Sequence, residues 1–308
     1  MAKAIILTED FAGMKSQAFG LAERAGFQKE LCSLIPRKPW SFISAPYWPF
    51  PLKGVEAFNI SESPVVISVG SVGGVINAAI RQSGRAAIHI QNPRISPDKF
   101  DLVIVNPHDQ LSGKNVIVSR TALHHISSQI LSENKGKWTS FFRQDTSPLV
   151  AVLIGGNNGR FTLGKSEAEI IAYQLVDLIK TENVHIALTP SRRTGKEAIA
   201  VFKQILIPLG AYIWDGEGEN PYLGLLACAD FILVTIDSVS MISEAVATSA
   251  PVMILSLPGK SKRISLFIHS MQQENRVKLF RNRLESWSVS PLDDAEDVVF
   301  KVKNILGL

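Results

Sequence analysis

Apolar residues in this chain gather in short β-branched runs, separated by stretches whose apolar positions recur three and four apart, and the alternation persists from end to end. The short runs read as buried strands and the longer amphipathic stretches as helices. In the first half, strands are expected at KAIILT (3–8), VVISVG (65–70), AAIHI (86–90), DLVIV (101–105) and NVIVS (115–119), with helices over Met14 to Ala25 and Val75 to Gln82. In the second half they fall at LVAVLIG (149–155), VHIALTP (184–190), AYIW (211–214), FILVTI (231–236) and PVMIL (251–255). Helices are expected between them at Ser166 to Lys180, Gly195 to Pro208, Pro221 to Ala229 and Val239 to Thr248. Strands alternating with helices predict an α/β protein with parallel sheets. The polar stretch SENKGKWTSFFRQDTSP (132–148), broken by Gly136 and Pro148, reads as a linker. It divides the chain into one Rossmann-like, doubly wound domain over 1–145 and a second over 146–308. Two such domains facing across a cleft would hold a ligand at the carboxyl ends of their strands.

The bulk composition narrows the classes. At 308 residues and 46% hydrophobic content the chain can fill two cores. A net charge of +4 permits an anionic partner such as a nucleotide or an acidic membrane surface, but for this length it gives no pointer to nucleic acid. Cys32 and Cys228 alone support neither a disulfide framework nor a cysteine zinc site, which fits a reducing cytoplasm. The apolar run in MAKAIILTEDF is too short for a signal-peptide core. The longest uncharged stretch, Ser63 to Ile80, contains Pro64, Gly70, Gly73 and Gly74 and makes a poor membrane span. Membrane contact is therefore expected to be peripheral, at the inner face of a membrane.

The candidate chemistry concentrates at strand ends. In LVTIDSVSMISEA (233–245), Val239, Ile242 and Val246 define a buried helical stripe, while Ser240 and Glu244 sit one turn apart on another face. Asp237 or Ser238 can cap that helix, but Met241 stands where a capping box would need an oxygen facing Glu244. The surplus of polar groups at a helix N-terminus suits a nucleotide, with hydroxyls and N–H groups on phosphate and Glu244 accepting from ribose. LIGGNNGRF (153–161) places Gly155, Gly156 and Asn157 after an apolar strand, and Ser166 with Glu169 fits a capping box for the helix that follows. Its glycines match neither G-x-G-x-x-G nor the P-loop, so a plain βα turn and a phosphate loop both remain open. LTPSRRTG (188–195) brings Ser191, Arg192 and Arg193 to another strand end, where either a solvated turn or a phosphate fork fits. In WDGEGENPY (214–222), Asn220 and Pro221 start a helix, leaving Trp214 and its acidic neighbours to border a base or sugar or to face solvent.

In the first half, Glu9 with Asp10 and His108 with Asp109 stand at strand ends, where a carboxylate or imidazole could take a proton from an acceptor hydroxyl. PWSFISAPYWPFPL (39–52) interleaves aromatics with prolines and carries no charge; it reads as a buried loop or as an interfacial one. Lys260, Lys262, Arg263, Arg276, Lys278, Arg281 and Arg283 form a basic run that reads as a solvated face or as a contact for acidic headgroups. No D-x-D, H-E-x-x-H or G-x-S-x-G motif is present, so no metal site or nucleophile elbow is expected.

Taken together, WDGEGENPYLGLLACADFILVTIDSVSMISEA, LTPSRRTG, IQNPR, NPHD and RLESWSVSPLDD resemble the mitochondrial-fission family named after elongated mitochondria, which has many bacterial members. The resemblance covers nearly the whole chain and implies a fold similar to the GT-B glycosyltransferases. It implies a metal-independent transferase that uses a nucleoside-diphosphate sugar as co-substrate and no further cofactor. Glu244 then matches the ribose-binding glutamate of those enzymes. In the opening loop, where the family tends to carry Asp and Gly-His, this chain has Glu9 and Gly13-Met14. The same resemblance implies a second class of function, a non-enzymatic adaptor that gathers a protein partner at a membrane. The sequence leaves base, sugar, acceptor and oligomeric state open.

Overall fold

The computed structural model describes residues 2–60, 62–81 and 85–307. It divides into two compact units, Met1–His125 with Asp293–Leu308, and Ile126–Leu292. The first unit contains β1 (Lys3–Thr8), α1 (Ala12–Arg24), β2 (Gln28–Ser33), β3 (Val65–Val69), α2 (Gly70–Ala79), β4 (Ala86–Ile90), β5 (Leu102–Val105) and β6 (Val116–Val118). Its strands form one parallel sheet in the order β2-β1-β3-β4-β5-β6. The second unit contains α3 (Ser128–Phe142), β7 (Leu149–Ile154), α4 (Lys165–Glu182), β8 (His185–Pro190), α5 (Lys196–Leu206), β9 (Tyr212–Ile213), α6 (Tyr222–Cys228), β10 (Phe231–Thr235), α7 (Val239–Val246), β11 (Val252–Leu255), α8 (Lys262–Gln273) and β12 (Val277–Leu279). Its parallel sheet is ordered β12-β11-β10-β7-β8-β9. A last helix, α9 (Ala295–Leu306), returns to the first unit.

Both sheets are of the doubly wound kind that the alternating pattern predicts. β3 and β7 are buried at every position, as strands covered by helices on both faces must be. The strands that the pattern misses, β2 and β12, lie at sheet edges. In β2, QKELCS, the exposed Gln28, Lys29 and Ser33 flank an exposed Leu31, and the charge on Lys29 blunts an open edge against pairing with other chains. α2 begins at Gly70, five residues earlier than expected, and the expected end at Gln82 lies outside the described residues.

Two features correct the sequence reading of domains. The expected linker is mostly helix α3, which packs on α6: Trp138 lies against Gly224, and Phe142 meets Tyr212 ring to ring at 5.7 Å. Polar residues cover the helix's outer face, and that polarity reads as linker when seen without its partner. The ion pair of Arg143 with Asp230, at 2.6 and 2.7 Å, secures the helix's carboxyl end. Residues 293–308 leave the second unit, because Val298, Val299 and Val302 of α9 join the core beneath Leu21 and Ala22 of α1. Asp294 receives the Arg120 side chain at 2.6 Å and the Arg120 backbone N–H at 2.7 Å, and Arg24 reaches Asp293 at 2.6 Å. The division thus falls at 125/126 and 292/293, in place of a single boundary at 145.

The α3–α6 contact is testable. A Cβ at Gly224 would stand 2.3 Å from the Trp138 ring, so Gly224→Val is expected to cost about 1–3 kcal/mol by overpacking. Urea denaturation reads the shift directly. A variant as stable as the wild type would mean that α3 does not rest on α6.

Candidate functional site

In the second unit the chain runs outward from β7 in both directions, through β8 and β9 on one side and β10, β11 and β12 on the other. Such a reversal opens a crevice at the carboxyl ends of the central strands, here β7 and β10. The residues that follow those strands, and β8 beside them, are bonded into one structure.

Asp237, two residues beyond β10, is its centre. Its side chain is fully buried, yet it accepts the Gly156 N–H at 3.0 Å and meets the Arg193 guanidinium at 2.8 Å. Arg193 also donates to the Gly156 carbonyl at 3.0 Å, so the turn after β8 is tied to the loop after β7. Asn158 Nδ2 returns to the Asp237 carbonyl at 2.9 Å. The two glycines are required by close approach: a Cβ on Gly155 would stand 2.2 Å from Asp237 Oδ1, and one on Gly156 2.1 Å from the Arg193 carbonyl. Thr235 Oγ1 accepts the Gly155 N–H at 2.7 Å, and Thr194 accepts the Ser191 N–H at 2.9 Å while donating to the Gly155 carbonyl. Thr194 stands out in the sequence with Ser191, Arg192 and Arg193 at the end of its strand, whereas Thr235, the last residue of an apolar strand, gives no signal until the neighbouring loop is known.

The structure separates the two arginines that the sequence left equivalent. Both are exposed, but the Arg193 guanidinium is bonded to Asp237 and Gly156, while the Arg192 side chain is left on the solvent side of that turn. Ser238 is the residue that caps α7, accepting the Met241 N–H at 3.4 Å. Ser240 and Met241 are half-buried in the first turn of that helix. Asn157 folds the β7 loop, its Oδ1 accepting the Leu163 N–H at 2.8 Å. The expected Ser166–Glu169 capping box is absent, because α4 starts one residue earlier and Glu167 accepts the Gly164 N–H at 2.8 Å.

One turn deeper, Glu244 is buried in α7 and accepts a hydrogen bond from the Tyr222 phenol of α6. Burial, then the charge and the hydrogen bond of Glu244, push the Tyr222 phenol well above its ordinary range, so it remains a donor. Periodicity had put Glu244 on a face away from the core. A helix seated between a sheet and α6 has little solvated face, and the tyrosine 22 residues earlier is the group that makes burial of the carboxylate tolerable. Asn220 Oδ1 accepts the Tyr222 N–H at 3.0 Å, which starts α6 and so fixes that tyrosine. Trp214 Nε1 donates to the Glu217 carbonyl at 2.9 Å within the same connection.

The first-unit candidates are scattered. Glu9 follows β1, where the first sheet has its own reversal between β1 and β3, and burial raises its carboxyl above the usual range. Asp10 is paired with Lys15 at 2.5 Å. Asp109 closes a 3₁₀ turn by accepting the Asn106 N–H at 3.1 Å, and the buried His108 ring stands 3.9 Å from its carboxylate. Asp109 therefore has a local structural task.

Comparison with known proteins settles the family. A model of the family described as mitochondrial fission ELM1 matches residues 12–306. The chain belongs to that family. It is 29% identical over 247 residues to the mitochondrial fission protein ELM1 of Arabidopsis thaliana, covering 71% of this chain and 58% of that protein. The chain thus spans about half the length of the curated relatives it matches. Among solved structures it is similar to MurG of Acinetobacter baumannii, with a TM-score of 0.52 at 11% identity over 99% of this chain and 92% of that one. It is also similar to the UDP-GlcNAc 2-epimerase of Neisseria meningitidis bound to UDP-GlcNAc, with a TM-score of 0.55 at 12% identity over 98% and 91%. At such identities the likeness establishes the fold, which is GT-B-like.

Proposed function

We propose that the crevice of the second unit binds a nucleoside-diphosphate sugar and that the chain transfers the sugar to an acceptor hydroxyl. The observation that carries this reading is the convergence of the Gly155–Gly156 loop, the Ser191–Thr194 turn and the start of α7 at the switch point, with the buried Glu244 carboxylate one turn behind. Arg192 and the first-turn amides of α7 are suited to the diphosphate, including the charge that develops on it as the sugar leaves. Glu244, held by Tyr222, is suited to accept ribose hydroxyls. Similar folds hold UDP-GlcNAc and UDP, which supports the ligand class.

Thermal denaturation with a panel of nucleoside diphosphates and their sugars tests the site. One nucleotide should stabilise the wild type. Glu244→Gln keeps an acceptor for Tyr222 but lacks the charge, and is expected to lose about 1–3 kcal/mol of binding, roughly ten-fold or more in Kd. A panel with no response would remove the nucleotide site and favour the non-enzymatic adaptor.

A further inference from the structure

The loop that follows β2 has two unlike sides. Its inner residues Leu34, Ala45, Trp48 and Val55 are buried with Val72, Val75 and Ile76 of α2, and Trp48 Nε1 is fixed by the carbonyls of Ile43 at 2.9 Å and Trp40 at 3.2 Å. A fixed frame of this kind holds the outer side chains in place. Those are apolar and open to solvent: Phe42 is 79% exposed, Tyr47 78%, Phe50 61% and Leu52 50%. A rigid loop with its aromatics outward forgoes the burial that would ordinarily stabilise it, and exposed apolar patches of this kind mark contact surfaces.

Two further features say what covers it. First, the backbone is largely self-satisfied. The N–H groups of Phe42, Ile43, Tyr47, Trp48, Lys53 and Gly54 donate within the loop at 2.9–3.0 Å, and Pro39, Pro46, Pro49 and Pro51 have no N–H to satisfy. Such a segment can enter a region poor in water at little cost, and it offers no open edge for a protein strand. Second, the charge is one-sided. No Asp or Glu occurs between Glu30 and Glu56, while Arg37, Lys38 and Lys53 are present and exposed. The Pro36–Val55 bridge and the Arg37 N–H to Gly54 carbonyl bond at 2.8 Å close the loop at its neck, bringing those cations together at its base. Aromatics beyond a basic neck match the layering of an anionic bilayer, with headgroups outside and the acyl boundary within.

We infer that residues 35–53 dock the first unit on an anionic lipid surface, with Phe42, Tyr47, Phe50 and Leu52 in the interface and Arg37, Lys38 and Lys53 on the headgroups. This surface is separate from the nucleotide crevice and does not depend on it. The full chain should co-sediment with phosphatidylcholine–phosphatidylglycerol vesicles, and far less with phosphatidylcholine alone. Tyr47→Ser with Phe50→Ser, both at exposed positions, should weaken partitioning about ten-fold or more. Lys38→Glu with Lys53→Glu should keep the aromatics yet lower binding to the anionic vesicles by roughly ten-fold, and should erase the preference over phosphatidylcholine. The variants' circular dichroism should match wild type. Equal binding to both vesicle types, or none to either, would overturn the proposal. So would concentration-dependent self-association abolished by the serine pair in the absence of vesicle binding, which would make the patch an interface between copies of the chain.

Discussion

Asp237→Ala is expected to destabilise the second unit by about 3 kcal/mol, toward the lower end of the ~3–5 kcal/mol typical of breaking a buried ion pair from one side. The lower end applies because Arg193 is 39% exposed and can be solvated once released, whereas the carboxylate that holds it is fully buried. Two further losses add to the cost. The Gly156 N–H loses its acceptor, and the space against Gly155 is left empty. The same geometry predicts a sign for the coupling with its neighbour. Gly155→Ala alone drives a Cβ to 2.2 Å from Asp237 Oδ1, but after removal of the Asp237 side chain that collision disappears. The double variant should therefore be more stable than the two single losses added together, by about 1 kcal/mol or more. Urea denaturation of the four proteins at pH 7.5 completes the cycle. Strict additivity, or a cost below about 1 kcal/mol for Asp237→Ala, would show that this carboxylate does not hold the three loops together.

The same site shows how far sequence reasoning reached. Apolar runs located the central strands, because β3, β7 and β10 are buried regardless of neighbours and so must be apolar. Polar residues gathered at strand ends located Asp237, Ser238, the Gly155–Gly156 loop and the Ser191–Arg193 turn before any contact was known. What stayed hidden depends on partners distant in sequence. The polar outer face of α3 looks like a linker until α6 is placed beneath Trp138. The return of α9 is fixed by Arg120 and Arg24, far from it in sequence, so Asp293 and Asp294 alone give no hint of it. Likewise, nothing in the helical stripe of α7 shows that Tyr222 will meet Glu244, nor which of two adjacent arginines will be drawn inward. Asp109 shows the converse: a carboxylate at a strand end, read as a candidate base, serves a turn.

Acidification is expected to weaken the first unit, and the buried His89 contributes to that loss. His89, in β4, is completely buried; its Nδ1 lies 2.8 Å from Ser68 Oγ, which also receives Asn77 Nδ2 at 2.9 Å. Its ring stacks on Phe100 at 5.0 Å, and its Nε2 has no hydrogen-bond partner among the described residues. Desolvation lowers its pKa to about 3, because a second ring proton would place an unshared charge in an apolar layer. In the unfolded chain the same imidazole protonates near pH 6.5. Below that pH the unfolded state binds the proton and the folded state does not, so stability is whole above about pH 6.5 and drains away as pH falls toward 3. At pH 5.0 the loss from this one group is about 2 kcal/mol, from ~1.36 kcal/mol per unit over roughly 1.5 units. His125, whose pKa burial also lowers, adds in the same direction. The measurement is urea unfolding at pH 7.5 and 5.0 for wild type and His89→Leu. The leucine variant forfeits the Ser68 bond at both pH values but has nothing to protonate, so its stability should change much less between them. An equal change in both proteins would assign the acid sensitivity elsewhere.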